Sequence, residues 1–365
     1  MQINKSPTYL LPAQHLCILL RLDDLTDFKM RLLRFTAFAL VGFLVAAPTS
    51  KDDKGKKDLV TRDREELFRY KAEHDIVKLV VPLNALLKTV PSQNTYCLNL
   101  MLFFVEADVR PDGSRIDQGL YVLKGGKATK ILDYGRDAAA SGAGDNSTKA
   151  FFGAKDGLYV YNPETNSADK YGPITDSIIA IDMEKLGEVI YILTEDRDVY
   201  KVTDNGEKKE KLDDVIKPKQ IVLDYQNNLY FLADDKIPYV RTADGVKKIE
   251  GLPEATGTVT LVKAPVFLEN QAVVITDYKA YLISSNGSSA FTGIEFQPKA
   301  IPTALAPEAT LVQYYAYDKK IYEYNILGAI FKSISESIDN YFGIKQPDRS
   351  DDCTHFGTVR SQNRF

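Results

Sequence analysis

The chain of 365 residues has no tryptophan and contains only three histidines and three cysteines. His15, His74 and His355 fall outside the repeating part of the sequence described below, so imidazole is not expected as a base or metal ligand in the core. The sequence also lacks a phosphate-binding loop and any cluster with the spacing of metal ligands. We therefore expect no catalytic residue, no metal and no cofactor.

Long apolar runs and an excess of basic charge are missing as well. Within the repeats no stretch approaches the roughly 18 apolar residues of a membrane span. The net charge of -4 disfavours nucleic acid as a partner. Cysteine leaves two possibilities open, because Cys97 and Cys353 could form one disulfide in a secreted protein or remain free.

A repeat dominates what is present. Six tyrosines recur at steps of 38, 41, 39, 42 and 41 residues, and most are followed by a turn sequence such as Asn-Gly or Asp-Gly; they are Tyr121, Tyr159, Tyr200, Tyr239, Tyr281 and Tyr322. Units of about forty residues are typical of propeller blades. The spacing predicts an all-β, six-bladed β-propeller of four-stranded antiparallel blades. The alternative is a β-sandwich with evenly spaced hairpins.

Short apolar runs supply the other strands of each unit. A buried strand is predicted before each tyrosine, in the segments LMLFFV, KAFFG, VIYIL, LYFLA, AVVIT and VQYYAY. Inner strands are clearest in SIIAIDM and KQIVLDY. The Asp244-Gly245 pair suits a tight hairpin turn, so the surrounding segment is predicted to be the outer half of blade four.

The two ends of the chain differ from the repeats. Residues 30–47 read as a secretory signal peptide, with two arginines, a short apolar run and small residues. Residues 1–29 are interpreted as a gene-model extension, 48–75 as a charged approach segment, 76–344 as the propeller and 345–365 as a disordered tail. Apolar residues at helical spacing within 330–342 predict a short C-terminal helix.

Two glycosylation sequons begin at Asn146 and Asn286. Both fall in connections that should emerge on the same face of a propeller, which leaves the opposite face free for a ligand. The turns before the tyrosine strands lie on that free face. They carry one cation each: Lys155, Arg197, Lys236, Lys279 and Lys319.

Blade one replaces this turn with a longer predicted loop that holds Arg110 and Arg115. A ring of cations would suit an anionic small molecule. The competing interpretation is ordinary turn chemistry, since an aspartate accompanies each cation in the five short turns. Asp182 and Asp224, near the inner strands, could bind Ca²⁺ in the central channel or serve as turn formers.

The blade KDGLYVYNPETNSADKYG, with VIYILTEDRDVYKV and NLYFLADDKIPYV after it, resembles the ommochrome-binding proteins of insect haemolymph. The likeness extends loosely over residues 100–325. It implies a secreted extracellular carrier in haemolymph that binds ommochromes, which are tryptophan-derived pigments, without covalent attachment.

The predicted function is therefore a secreted, non-enzymatic carrier of a small planar anionic aromatic metabolite. One alternative is a secreted lactonase-like propeller hydrolase with a central divalent cation, which calcium-dependent stability would favour. Another is a protein-interaction propeller. A pigment that co-purifies with the protein would favour the carrier.

Overall fold

The computed structural model describes residues 68–83, 101–111, 113–141, 149–296, 301–308 and 312–325. The predicted extension, signal peptide, tail and C-terminal helix lie outside these residues, as do Asn146, Cys97 and Cys353. Within the described segments, no helix has both the length and the apolar character needed to cross a membrane.

The described strands form six four-stranded antiparallel sheets, which confirms the predicted six-bladed β-propeller. In five blades the strands follow chain order from the inner to the outer edge. Their bounds in blades one to three are β2 (Asp75–Val80), β3 (Met101–Val109), β4 (Arg115–Lys124) and β5 (Lys127–Leu132); β6 (Gly135–Ala140), β7 (Ala150–Ala154), β8 (Gly157–Asn162) and β9 (Ser167–Lys170); and β10 (Ile178–Met183), β11 (Ile190–Thr194), β12 (Val199–Thr203) and β13 (Lys208–Lys211).

Blades four to six complete the ring. Their strands are β14 (Gln220–Leu223), β15 (Leu229–Leu232), β16 (Pro238–Thr242) and β17 (Gly245–Lys248); β18 (Val259–Lys263), β19 (Gln271–Thr276), β20 (Lys279–Ser284) and β21 (Ser289–Glu295); and β22 (Ala304–Ala306), β23 (Val312–Tyr317), β24 (Lys320–Asn325) and β1 (Phe68–Lys71). A short 3-10 helix, Asp204–Gly206, lies between β12 and β13.

The repeated tyrosines occupy equivalent positions, because all six lie in the third strand of their blades. In blades one, four and six the ring stacks on an aromatic ring of the second strand at centroid distances of 5.0, 5.4 and 5.0 Å. Such pairs add to the energy of burying the apolar area. The apolar runs predicted before the tyrosines are the second strands, as expected.

On the outer side, these tyrosines face lysines in the first four blades. Tyr121, Tyr159, Tyr200 and Tyr239 are the register partners of Lys130, Lys170, Lys211 and Lys248 in the fourth strands. The Lys170 ammonium lies 4.3 Å from the Tyr159 ring centroid, within range of a cation–π contact. Blade five differs, since Tyr281 faces Phe291 instead.

Apolar packing between neighbouring sheets holds the ring together. The described residues form six buried apolar clusters, and each cluster joins two adjacent blades. The second strands supply much of this core, and β7 and β11 are buried at every position. Each blade therefore shares its hydrophobic core with both neighbouring blades and has no separate core of its own.

Side chains of the inner strands also join successive blades directly. The Ile181 N–H donates to Asp137 Oδ2 at 2.9 Å, and the Leu223 N–H donates to Asp182 Oδ2 at 2.7 Å. In the same way the Leu261 N–H donates to Gln220 Oε1 at 2.8 Å. An inner strand has a free edge, and these contacts satisfy backbone donors that would otherwise be buried without partners.

Strand β1 closes the ring as the outermost strand of blade six, where it pairs antiparallel with β24. The Arg69 Nε of β1 donates to Glu323 Oε2 of β24 at 3.0 Å, and the Tyr314 hydroxyl donates to the same oxygen at 3.0 Å. The propeller thus begins within the segment 48–75, which was predicted to be a charged approach, and not at residue 76.

The closing ion pair yields a test of this seam. We expect Arg69→Ala to lower the free energy of unfolding by about 2 kcal/mol, because it leaves the Glu323 carboxylate buried without its cation. The double variant Arg69→Ala/Glu323→Gln should recover part of that loss, since a neutral amide needs no counter-charge. Urea unfolding, monitored by circular dichroism, measures the free energy of unfolding of both variants. A double variant no more stable than Arg69→Ala alone would contradict the explanation.

Candidate functional site

Two faces of the propeller can be told apart by their turns. Successive strands of a blade are antiparallel, so the second-to-third turns and the linkers between blades emerge on one face, here called the mouth face. The first-to-second and third-to-fourth turns emerge on the opposite face. Asn286 lies in the turn between β20 and β21 and is exposed, which puts this predicted glycosylation position on the opposite face.

The five predicted turn cations all lie at second-to-third turns, and therefore on the mouth face. Arg197, Lys236 and Lys319 have positive φ angles of 63°, 60° and 59°. This conformation is uncommon for residues other than glycine and is used in tight turns. The backbone of these three residues therefore helps to form the turns, whether or not their side chains also contact a ligand.

Some of these cations are bound within the protein. The Arg197 guanidinium donates to Asp234 Oδ2 at 2.7 Å and to the Pro218 carbonyl at 3.2 Å, and it also contacts the Lys217 carbonyl. The hydrogen bond from Arg197, together with one from Lys219, lowers the pKa of the Asp234 carboxyl to about 2. Arg197 thus joins blades three and four, which limits its availability to a ligand.

The hairpin formed by β3 and β4 in blade one differs from the long loop predicted from the sequence. The long loop predicted over residues 106–118 is mostly strand, because β3 continues to Val109 and β4 begins at Arg115. Arg110 is exposed in the remaining turn. The Arg115 Nε donates to Asp117 Oδ1 at 2.7 Å and its Nη2 to the Arg136 carbonyl at 2.9 Å.

His74 lies outside the blade strands, as expected, in the linker from blade six to blade one. It sits in the turn between β1 and β2, where its Nδ1 is 2.9 Å from Asp108 Oδ1. This hydrogen bond lowers the pKa of the Asp108 carboxyl below its usual range. That this linker joins two blades could not be recognised from the sequence, because β1 was not identified as a blade strand.

The mouth face contains a cavity between blades four and five, which we call the inter-blade pocket. Its volume is about 430 Å³, and it lies between the β15–β16 turn and the linker from β17 to β18. Apolar groups on its wall include Ile249, Leu252 and Val274. Thr276 also lines it; this residue is 2% exposed, and its Oγ1 has no hydrogen-bond partner among the described residues.

Charges of both signs surround the inter-blade pocket. Lys236 and Lys248 line it together with Asp235, Glu250 and Glu254. Asp235 is already engaged, since its Oδ1 accepts from the Ile237 N–H at 2.9 Å and its Oδ2 from the Tyr239 hydroxyl at 2.7 Å. Lys236 is thus a predicted cation that borders a pocket of ligand size.

A second cavity, here the channel cavity, lies among the inner strands and has a volume of about 120 Å³. Its lining comes from the last residues of these strands, such as Ala138–Ser141 and Thr260–Lys263, and so lies towards the opposite face. None of the seven predicted cations is among its lining residues. The structure therefore separates the predicted cations from the channel cavity.

Two ion pairs join residues of different inner strands at the wall of the channel cavity. Lys78 Nζ lies 3.0 Å from Asp137 Oδ1, and Lys263 Nζ lies 2.7 Å from Asp182 Oδ1. Burial lowers the pKa of Lys78, but the Asp137 and Asp182 carboxylates outweigh that effect and raise it above its ordinary value. Lys78 is therefore matched by an aspartate of the next blade, and Lys263 by an aspartate two blades away.

The two aspartates considered as calcium ligands have structural roles instead. Asp182 holds Lys263 and accepts the Met183 and Leu223 N–H groups at 2.8 and 2.7 Å. Asp224 caps its own turn by accepting from the Gln226 and Asn228 N–H groups, both at 2.9 Å. Within the described segments, no group of three or more His, Cys, Asp or Glu side chains converges as a metal site would require.

Glu308 also lines the channel cavity. Its Oε2 is buried and has no hydrogen-bond partner among the described residues. Burial raises the pKa of the Glu308 carboxyl to about 7, and the opposing effects of a backbone hydrogen bond and of Lys263 and Lys78 do not cancel this. The sequence around it, TALAPEAT, contains no motif, so nothing local could have identified it.

The raised pKa of Glu308 makes stability depend on pH. The folded protein holds this proton more tightly than the unfolded chain, so stability should decrease as pH rises from about 4.5 to about 7. Glu308→Gln removes this titration. Its free energy of unfolding, relative to that of the unaltered protein, should therefore be about 2 to 3 kcal/mol higher at alkaline pH than at acid pH. Thermal unfolding of both proteins across this range tests it, and parallel pH profiles would contradict it.

Comparisons with known proteins support no family assignment. No family model and no curated protein matches the chain. Among solved structures, one similar chain is PorZ, a bacterial surface component of the type IX secretion system of Porphyromonas gingivalis, at 11% identity and a TM-score of 0.42. The match covers 71% of this chain but spans only 38% of PorZ, and a likeness this distant carries no argument about function.

Proposed function

We propose that this protein is a secreted, non-enzymatic carrier that binds a small planar anionic aromatic metabolite at the mouth face of the propeller. The observation that supports this best is the inter-blade pocket, which combines a volume of about 430 Å³, an apolar wall and Lys236. The proposed ligand class includes ommochromes, because of the resemblance to insect ommochrome-binding proteins. The secretory signal expected at residues 30–47 agrees with a carrier in haemolymph.

The chemistry of the pocket suits recognition of one flat molecule. Leu252, which is half-buried, offers apolar contact area to an aromatic ring, whereas Ile249 and Val274 are 2% and 0% exposed and lie behind the accessible surface. Lys236 and Lys248 attract an anionic substituent, whereas Glu250 and Glu254 repel one. The ligand should therefore have a preferred orientation, with its anionic group towards the lysines.

Binding without catalysis is consistent with the groups available. His74, the histidine within the described segments, is paired with Asp108, and Asp182 and Asp224 serve the fold. These pairings give no specific support to a lactonase-like reaction. A carrier needs only the pocket and its charges.

The test is titration calorimetry with xanthommatin, an ommochrome, at low and high salt. Lys236→Ala should weaken binding by about 1 kcal/mol or less, because exposed charges contribute modestly. Lys279→Ala should have a smaller effect, since Lys279 does not line the pocket. High salt should weaken binding only in part, because screening acts on the charges and not on the apolar contacts.

The matched control is the double variant Lys127→Ala/Lys208→Ala. It removes the same charge as Lys236→Ala/Lys279→Ala, but from exposed positions at third-to-fourth turns on the opposite face. Affinity that is unchanged in the Lys236/Lys279 variant and at both salt concentrations would show that the mouth-face cations only form turns. Absence of binding by the unaltered protein would contradict the proposed ligand class.

A further inference from the structure

The inter-blade pocket is lined by exposed charges of both signs that do not pair with one another. Two cations and two anions on its wall form no ion pair among the described residues: Lys236, Lys248, Glu250 and Glu254. Elsewhere on the mouth face opposite charges meet directly, as Arg197 and Asp234 do at 2.7 Å. Charges that face one pocket without pairing are available to charged groups of a ligand.

The two glutamates lie on the linker from β17 to β18, which is fixed to blade five at both ends. Near its start, the Glu250 N–H donates to the Gly287 carbonyl, and the Ser289 hydroxyl donates to the Glu250 carbonyl, both at 2.7 Å. Near its end, the Gly257 N–H donates to Asp277 Oδ1 at 2.8 Å. These contacts use backbone atoms of the linker, so its two carboxylates stay free to contact a ligand.

The balance of charge disfavours a ligand that carries a negative charge alone. Asp235 also lines the pocket, so three carboxylates and two ammonium groups surround it. A simple anion would be attracted by Lys236 and Lys248 but repelled by the carboxylates, and a simple cation would meet the reverse. A zwitterion finds a partner of opposite sign for each of its charged groups.

We propose that Glu250 and Glu254 make the inter-blade pocket selective for a zwitterion, whose carboxylate faces the two lysines and whose ammonium group faces these glutamates. This inference rests on the proposed function and narrows it, because the anionic group of the ligand is then one half of an amino-acid group. Leu252, on the same linker, offers apolar area to a flat ring. The ligand class is therefore an aromatic amino acid or a derivative that keeps both charges.

The experiment compares three probes that share one indole ring: tryptophan, indole-3-propionic acid and tryptamine. Near pH 7 they carry both charges, the negative charge alone and the positive charge alone. Because the chain has no tryptophan, the fluorescence anisotropy of each probe can be followed without an indole signal from the protein. Tryptophan should bind about twofold to fivefold more tightly than either of the other probes, since exposed ion pairs contribute modestly. High salt should reduce this preference.

The decisive variant is Glu250→Gln/Glu254→Gln, which removes the two negative charges and keeps the size of the side chains. It should abolish the preference for tryptophan over indole-3-propionic acid, bind indole-3-propionic acid more tightly and bind tryptamine more weakly. Lys236→Ala should show the opposite pattern, with weaker binding of the two carboxylates and no loss of tryptamine binding. A purely structural role of these residues would not move the three probes in opposite directions.

The matched control is Glu164→Gln/Glu207→Gln, which makes the same change at exposed turn residues of blades two and three and should keep the preference. Circular dichroism confirms that each variant is folded. Equal affinity for tryptophan and indole-3-propionic acid, an undiminished preference in the Glu250/Glu254 variant, or no binding of tryptophan would each overturn this inference. Binding of xanthommatin that Lys236→Ala weakens would still support the proposed function, so the two failures can be distinguished.

Discussion

The pairing of β1 with β24 is the constraint on which the remaining structure depends. The two strands are separated by almost the whole described chain, yet together they complete blade six. A propeller without this closure would expose β24 as a free edge and open the apolar cluster between blades six and one. The channel cavity depends on the same closure, because Lys78 and Glu308 belong to the blades on either side of this seam.

The blade pattern was predictable because its causes are local. Each tyrosine marks a third strand, the apolar run before it is a buried second strand, and the turn sequences require positive φ. Closure was not predictable in the same way. FRYK in β1 contains two cations in four residues, which resembles the charged segment before it, and its partner Glu323 is 254 residues away.

The candidate sites show the same division between local and distant causes. Lys236 could be singled out because a cation recurs in each short turn, but its position beside a pocket depends on the linker to blade five. Asp182 resembles a calcium ligand in sequence, whereas the distant Leu223 N–H and Lys263 decide its role. Glu308 and Thr276 become notable only through what fails to contact them, and no sequence pattern records a missing partner.

The lysines opposite the tyrosines determine how the outer wall of the ring meets other molecules. Long, hydrated ammonium groups on β13 and β17 oppose the docking of another strand, so the exposed edges of these blades resist aggregation. Blade five lacks this protection, because Phe291 replaces the lysine and is 51% exposed on β21. If unfolding or crowding drives this protein into fibrils or edge-to-edge assemblies, the outer strand of blade five is where they begin.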